Sequence, residues 1–475
     1  PFGRNRDGVA GNLVEPRQTE YAFTSGRRVL VPRSPDAAPG ASTMLAWLDD
    51  FCSAAGIPAA ERAHFVNRIL VFLTSSEERR LGQWDAMSWK DFIVRAGGAS
   101  FSDAYTRVLG EALVRGAIAV SGRSASARTV GRILEAFAYT GMPAVSGYGA
   151  PDRILDAPTN EAWIDPWVAL LRRRGVRFVR FRAVRALEIR RGRVTAAVLT
   201  DSGARLEADW FVCAVPVERA RPLLSRDVLA LDPSLEGMRR LRTEWMNGIQ
   251  FFLRRRFREP TVGHTLHVDS PWALSSINQA RFWPHRRLPR DYGDGRVREI
   301  LSAIISDWTT PSPRVGQPAS RCTADQIARE TWRQLKADLG RPGELTDDML
   351  VDWSLDRAIG APEVPGRRAT NDSPLFANTV GAWTHRPSPA TAIPNLLLAS
   401  DYVRTEVDLA TMEGANESAR RAVNALLERS GSRARPATVF ELYRPTEYEE
   451  ARRTDAERFR HGLPHAMEAA VPQPA

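Results

Sequence analysis

The chain has 475 residues, 43% of them hydrophobic, with thirteen Trp and eighteen Phe, which suits two domains or one threaded by another and argues against disorder. Its formal charge of +10 comes from arginine, since Lys90 and Lys336 are the only lysines; the arginines are scattered without a recognition motif, so no nucleic-acid partner is expected. Cys52, Cys213 and Cys322 stand far apart and the histidines lack ligand spacing, which argues against a disulfide framework and a metal site.

Taken in chain order, Thr19–Thr24 and Arg27–Val31 flank Ser25-Gly26 and predict a β-hairpin. A Pro/Ala/Gly-rich link, Pro32 to Pro39, leads into a helical pattern from Met44 to about Thr140, with Phe65, Ile69, Leu70 and Phe72 between charged faces. Ile164–Leu171 reads as a helix with Pro166 in its first turn. Asp165 reads as its N-cap or as an acid facing a pocket between Trp163 and Trp167. Val176–Phe181 is expected to be a strand. From Val184 to Pro216 the pattern predicts three β segments separated by Arg191-Gly192 and Ser202-Gly203 and ending in the apolar run Trp210–Val215, which marks a return to a buried sheet. Further strands, among them Ile249–Leu253 and Ile300–Asp307, and a helix over Ala324–Leu339 predict a sheet of its own between about 231 and 380.

Near the C-terminus, "NLLLASDYVRTEVDLATMEGANESARRAVNALL" (395–427) joins a buried strand, Leu396–Ala399, to an amphipathic helix through a polar turn, with Asp401 at the strand's end. Gly414, in the first helical turn, would let another body approach the backbone, and the unpaired N–H groups there favour an electron-rich partner. Ligands of open α/β sheets bind at the carboxyl ends of strands. The tail from Ser430 carries one further helix, around Tyr448 to Arg460, and no evident chemistry.

That stretch resembles the C-terminal flavin motif of the FAD-dependent amine oxidase and phytoene desaturase superfamily, nearest to its bacterial hydroxysqualene dehydroxylase-like and phytoene desaturase-like members. The segment "GRVTAAVLTDSGARLEADWFVCAVP" is similar to the family's β-meander and the strand that follows it. The resemblance implies an α/β fold: a Rossmann-like FAD-binding domain built from discontinuous segments, plus an inserted α+β substrate domain with a mixed sheet and helices. The expected boundaries are 1–35 (hairpin, part of the FAD domain), 36–145 (helical substrate part), 146–230 (FAD domain with meander), 231–380 (substrate domain), 381–430 (C-terminal FAD motif) and 431–475 (tail). It implies that Asp401 holds the ribityl–pyrophosphate part of FAD and that the Met412 backbone, after Thr411, donates to the isoalloxazine. Gly414 and Ala415 would allow close approach, and Val184 would touch the adenine through its backbone.

The family's N-terminal GxGxxG fingerprint is absent, Gly147-Tyr148-Gly149 being a poor substitute. With Pro1 first, the chain is expected to begin inside a longer natural one. Ser400 stands where the family has Gly.

The resemblance implies an FAD-dependent oxidoreductase. Lys90 and Lys336 both fall in surface-helix patterns, which disfavours the lysine-assisted amine oxidation of many relatives. The expected substrate is a hydrophobic small molecule of isoprenoid, carotenoid or squalene type. Its cavity would be walled by residues 44–140 and Ile249–Leu253. An amine oxidase-type flavoenzyme with a more polar substrate is one alternative; a non-catalytic lipid-binding protein on the same scaffold is another. No catalytic residue is singled out. Without an apolar run of about 18 residues or a signal peptide, a cytoplasmic location is expected. The Arg254–Arg256 run reads as a solvated strand end, with peripheral contact to the inner face of the membrane as the other option.

Overall fold

The computed structural model describes residues 11–16, 18–32, 41–95, 100–140, 153–180, 182–257, 263–339 and 345–469. The N-terminal hairpin forms, Gln18–Ala22 pairing antiparallel with Arg28–Pro32, and Gly26 supplies the left-handed residue of its turn at φ +83°. It is the edge of a seven-stranded mixed sheet. From the hairpin side, the other strands run Thr265–His267, Leu274–Asn278, Glu299–Ile305, Asn247–Leu253 and Leu350–Leu355. The N-terminal segment therefore shares a sheet with residues 247–355.

Alternation along Asn247–Leu253 is strict. Ile249, Phe251 and Leu253 are buried in a cluster with the helix Ala324–Leu339, where Phe251 lies 5.1 Å from the Trp332 ring. Gly248, Gln250 and Phe252 take the opposite, half-buried face. The run expected to wall a cavity thus gives three of its apolar side chains to the core, because a two-residue period cannot place them all on one side.

The helical block comprises Ala41–Ala54, Ala59–Thr74, Trp89–Val94 and Ala127–Thr140, with π turns at Arg80–Trp84 and Tyr105–Ala112. Phe65, Phe72, Trp84, Trp89, Phe92 and Tyr105 form its aromatic centre. The C-terminal helix Glu449–Arg460 docks on this block through a buried ion pair, Arg79 to Asp455 at 2.8 Å, and a partly buried one, Arg452 to Glu135 at 2.8 Å.

Two local expectations are corrected. The helix Asp165–Arg173 is entered through a π turn over Asn160–Ile164, so Asp165 has helical dihedrals and is not an N-cap. Nor does Asp165 lie in a pocket between indoles: Trp163 and Trp167 stack on each other at 6.3 Å, and Trp167 is exposed. Residues 176–180 form no strand, and Val176, Phe178 and Val179 are exposed, because no neighbouring strand among the described residues takes up their backbone groups.

The meander forms as three antiparallel strands, Val184–Arg190, Arg193–Leu199 and Arg205–Glu207. Phe211–Cys213 follows and pairs in parallel with Leu396–Leu398. The helix Met412–Ser430 covers that pair through Ala419, Ala422 and Leu426. Two short strands, Arg242–Glu244 and Leu375–Ala377, pair antiparallel where the chain passes into and out of the large-sheet region. Among the described residues no helix is long and apolar enough to cross a membrane.

A Cβ added at Gly131 would sit 2.3 Å from the Phe72 ring. Alanine normally favours a helix over glycine by about 1 kcal/mol, but here it overpacks a core. Gly131→Ala is expected to lower unfolding stability by about 1–3 kcal/mol, read by denaturant titration; a stabilised variant would contradict this packing.

Candidate cofactor site

The strand Leu396–Leu398 is fully buried, and its end is tied to the helix that follows. The Ser400 N–H donates to Ser418 Oγ at 2.9 Å, and the Ser418 hydroxyl donates to the Ala415 carbonyl at 2.8 Å. Ser400 is not among the left-handed residues, so glycine is not required there, and its hydroxyl donates to Asp401 Oδ1 at 3.1 Å. The Asp401 carboxylate is half-buried at the carboxyl end of the parallel pair.

Thr411 is the N-cap of Met412–Ser430, its hydroxyl accepting from the Gly414 N–H at 3.2 Å, and the Ala415 N–H donates to the Thr411 carbonyl. Met412 is 63% exposed, so its side chain is not core. It begins a helix whose first-turn N–H groups lack intrahelical partners. Gly414 also makes room within the chain: a Cβ there would lie 2.5 Å from the Leu409 carbonyl, so the chain's own loop approaches this backbone closely.

The loop between Asp401 and Thr411 is held by side chains that sequence patterns did not single out. The Arg386 guanidinium is 1% exposed and donates to three successive carbonyls: Asp401 at 2.9 Å, Tyr402 at 3.0 Å and Val403 at 2.6 Å. Its remaining edge meets Asp408 Oδ1 at 2.5 Å. Asp408 Oδ2 accepts from Arg128 and, at 3.2 Å, from the Thr129 hydroxyl. Glu417, on the helix, accepts from the N–H groups of Glu406 at 2.9 Å and Val407 at 3.2 Å. Arg404 donates to the Trp383 and Thr384 carbonyls. A buried arginine has no period or flanking signature, which is why Arg386 was missed.

Val184 opens the meander and is exposed. Asn395 staples the meander to the buried strand: its amide donates to the Val194 and Asp209 carbonyls and its oxygen accepts from the Val194 N–H. Val184 pairs with Leu199, five residues from Val194, which places it roughly 17 Å along the ladder from that staple. Thr411, Met412, Gly414 and Ala415 share one helical turn, and the Ser400–Ser418 bond brings the Asp401 end of the loop against the same helix. Gly147-Tyr148-Gly149 lies outside the described residues.

Two further acids flank the loop. Glu218, beyond the Phe211–Cys213 strand, is pushed up by burial and, in smaller part, by Asp401, and its Oε2 has no hydrogen-bond partner among the described residues. Asp85, 2% exposed, is pushed up to about 6 by burial, with Asp408 adding and a hydrogen bond from Ser126 opposing.

The family model for flavin-containing amine oxidoreductases matches residues 165–427, more than half of the chain. The chain belongs to this family. Two solved structures share its fold. One is an oxidoreductase from Methanosarcina mazei, 12% identical with a TM-score of 0.54, over 88% of this chain and 82% of that one. The other is a putrescine oxidase redesigned in its cofactor binding, 13% identical with a TM-score of 0.51, over 89% and 86%. At such identities the likeness concerns the fold alone. No curated protein matches. The chain is an FAD-dependent oxidoreductase.

The residues present fit that cofactor. The first turn of Met412–Ser430 offers N–H donors beside an exposed residue, the Asp401 carboxylate is accessible at the strand end, and beside it the Glu218 oxygen and the buried Tyr402 hydroxyl have no hydrogen-bond partner among the described residues. Asp401, Met412 and the backbone around them would hold the flavin.

Asp85 should show in the pH dependence of stability. Its folded pKa is above the unfolded one, so its contribution is complete below the ordinary Asp range and is lost as pH rises through about 6. Relative to Asp85→Asn, the wild type should lose roughly 2.5 kcal/mol between pH 4 and pH 8. Paired denaturant titrations measure this; parallel curves across that range would refute it.

Proposed function

We propose that this FAD-dependent oxidoreductase acts on a hydrophobic, isoprenoid-type substrate, carotenoid- or squalene-related, by hydride transfer between a substrate carbon and the flavin. The observation that carries the reading is the position of the two lysines. Lys336 lies in the last turn of Ala324–Leu339 and pairs with Asp347. Lys90 lies in Trp89–Val94, its backbone N–H bonded to the Gly122 carbonyl. Among the described residues no bond joins either lysine to the loop from Asp401 to Thr411, which supports a chemistry other than lysine-assisted amine oxidation.

When bound, FAD supplies the two-electron chemistry. The chain's task is to fix the loop, present the Met412 turn to the electron-rich edge of the cofactor, and offer an apolar substrate a dry approach. A substrate of this kind resides in lipid, and the exposed Arg254–Arg256 strand end offers cations for peripheral contact with an anionic bilayer.

Amine oxidation is the second reading. It is supported by the family description and by the putrescine oxidase that shares the fold.

The test uses the purified complete protein. Its absorption spectrum and heat-released cofactor are recorded first, then flavin bleaching is followed anaerobically with a squalene-type polyene in detergent and, separately, with putrescine. Bleaching by the polyene alone is expected. Bleaching by putrescine alone would put the amine reading in its place.

A further inference from the structure

The loop that carries the cofactor site is fastened to the helical block through one carboxylate, Asp408. Arg386 takes one of its oxygens and Arg128, on the helix Ala127–Thr140, takes the other. Both guanidiniums and the carboxylate are almost wholly withdrawn from water. Burying such charges costs several kcal/mol each unless they are paired and hydrogen-bonded. Asp408 therefore cannot leave without taking from Arg386 its carboxylate and from Arg128 one of its two.

Other groups hold the same point. The Thr129 hydroxyl shares Oδ2, the Asn378 amide reaches the Asp408 carbonyl at 3.4 Å, and the Asp408 N–H reaches the Thr405 hydroxyl at 3.4 Å. The Trp383 ring lies 4.0 Å from the Arg128 guanidinium carbon and 5.4 Å from that of Arg386. Asp408 itself is left-handed, at φ +50°, a conformation non-glycine residues seldom adopt and one these contacts impose. On the far side, Arg128 donates at 3.0 Å to Glu77, which Arg132 also holds at 2.8 Å. The connection thus runs from the loop into two separate segments of the helical block.

We propose that Arg386, Asp408 and Arg128 are positioning residues: they lock the Asp401–Met412 loop to the helical block, so that FAD binding at the loop is transmitted to the Ala127–Thr140 helix. The inference rests on the flavin occupying the Met412 turn and on the helical block facing the substrate. Asp408 stands four residues before Met412, and the Leu409 carbonyl beside it is the one pressed against Gly414. A displacement of Asp408 is passed directly to the start of the helix.

The experiment compares the complete wild-type protein, stripped of flavin and reloaded, with Arg128→Gln, Arg128→Lys and Asp408→Asn, each checked for folding by circular dichroism. FAD affinity is measured by flavin fluorescence, and amide hydrogen exchange is followed with and without FAD. In the wild type, FAD should slow exchange in both 401–415 and 127–140. In Arg128→Gln, affinity should fall by about tenfold, with protection kept at 401–415 and lost at 127–140; Arg128→Lys, which keeps the charge, should recover part of both. Asp408→Asn should weaken affinity and lose protection in both segments. Unchanged affinity together with FAD-induced protection at 127–140 in Arg128→Gln would overturn the proposal, as would a wild type protected only at 401–415. A wild type that takes up no FAD would instead overturn the cofactor reading, and the lock with it.

Discussion

Backbone carbonyls that turn away from a buried strand need donors, and at the carboxyl end of Leu396–Leu398 one guanidinium supplies them. Arg386 reaches the carbonyls of Asp401, Tyr402 and Val403 and still has an edge for Asp408. A lysine could not do this, because a single ammonium lacks the planar fork that serves several acceptors at once. With those carbonyls held, the loop has one path to Thr411, and the cap, the close contact at Gly414 and the first turn of the helix follow from it.

The same chemistry recurs within the helical block and where the C-terminal tail meets it. Arg68, Arg79 and Arg80 are buried and paired with Glu468, Asp455 and Glu135, and all three also lie against aromatic rings. An arginine-rich composition, scattered along the sequence without a motif, is used in part as internal scaffolding. Guanidinium tolerates this because it is weakly hydrated and stacks on rings while its N–H groups bind carboxylates. Two of these pairs, to Asp455 and Glu468, join the C-terminal tail to the block, so the tail without evident chemistry is part of the packing.

The readable elements were those whose signal is local. The hairpin at Gly26, the meander with its turns at Gly192 and Gly203, the Ala324–Leu339 helix and the strand–loop–helix unit at 395–430 all carry a period or a turn residue that acts within a few positions. Residues 176–180 have a strand's composition and fail to be one, since a strand exists only where a partner accepts its hydrogen bonds. Asp165 has a cap's identity and sits inside the helix because a π turn begins the helix earlier.

By itself the sequence determined the α/β order of elements, the buried strand ending at Asp401, and the turn from Thr411 to Ala415 on which the flavin reading rests, because hydrophobic period and motif spacing are written in neighbouring residues. Only the tertiary structure decided that Arg386, Arg128 and Glu417 hold that turn, that Gly414 makes room for Leu409, and that the Asn247–Leu253 strand gives Ile249, Phe251 and Leu253 to the core. Each of these depends on groups far apart in the chain meeting where water is excluded, and an unpaired charge or carbonyl buried there must find a partner that no local pattern announces.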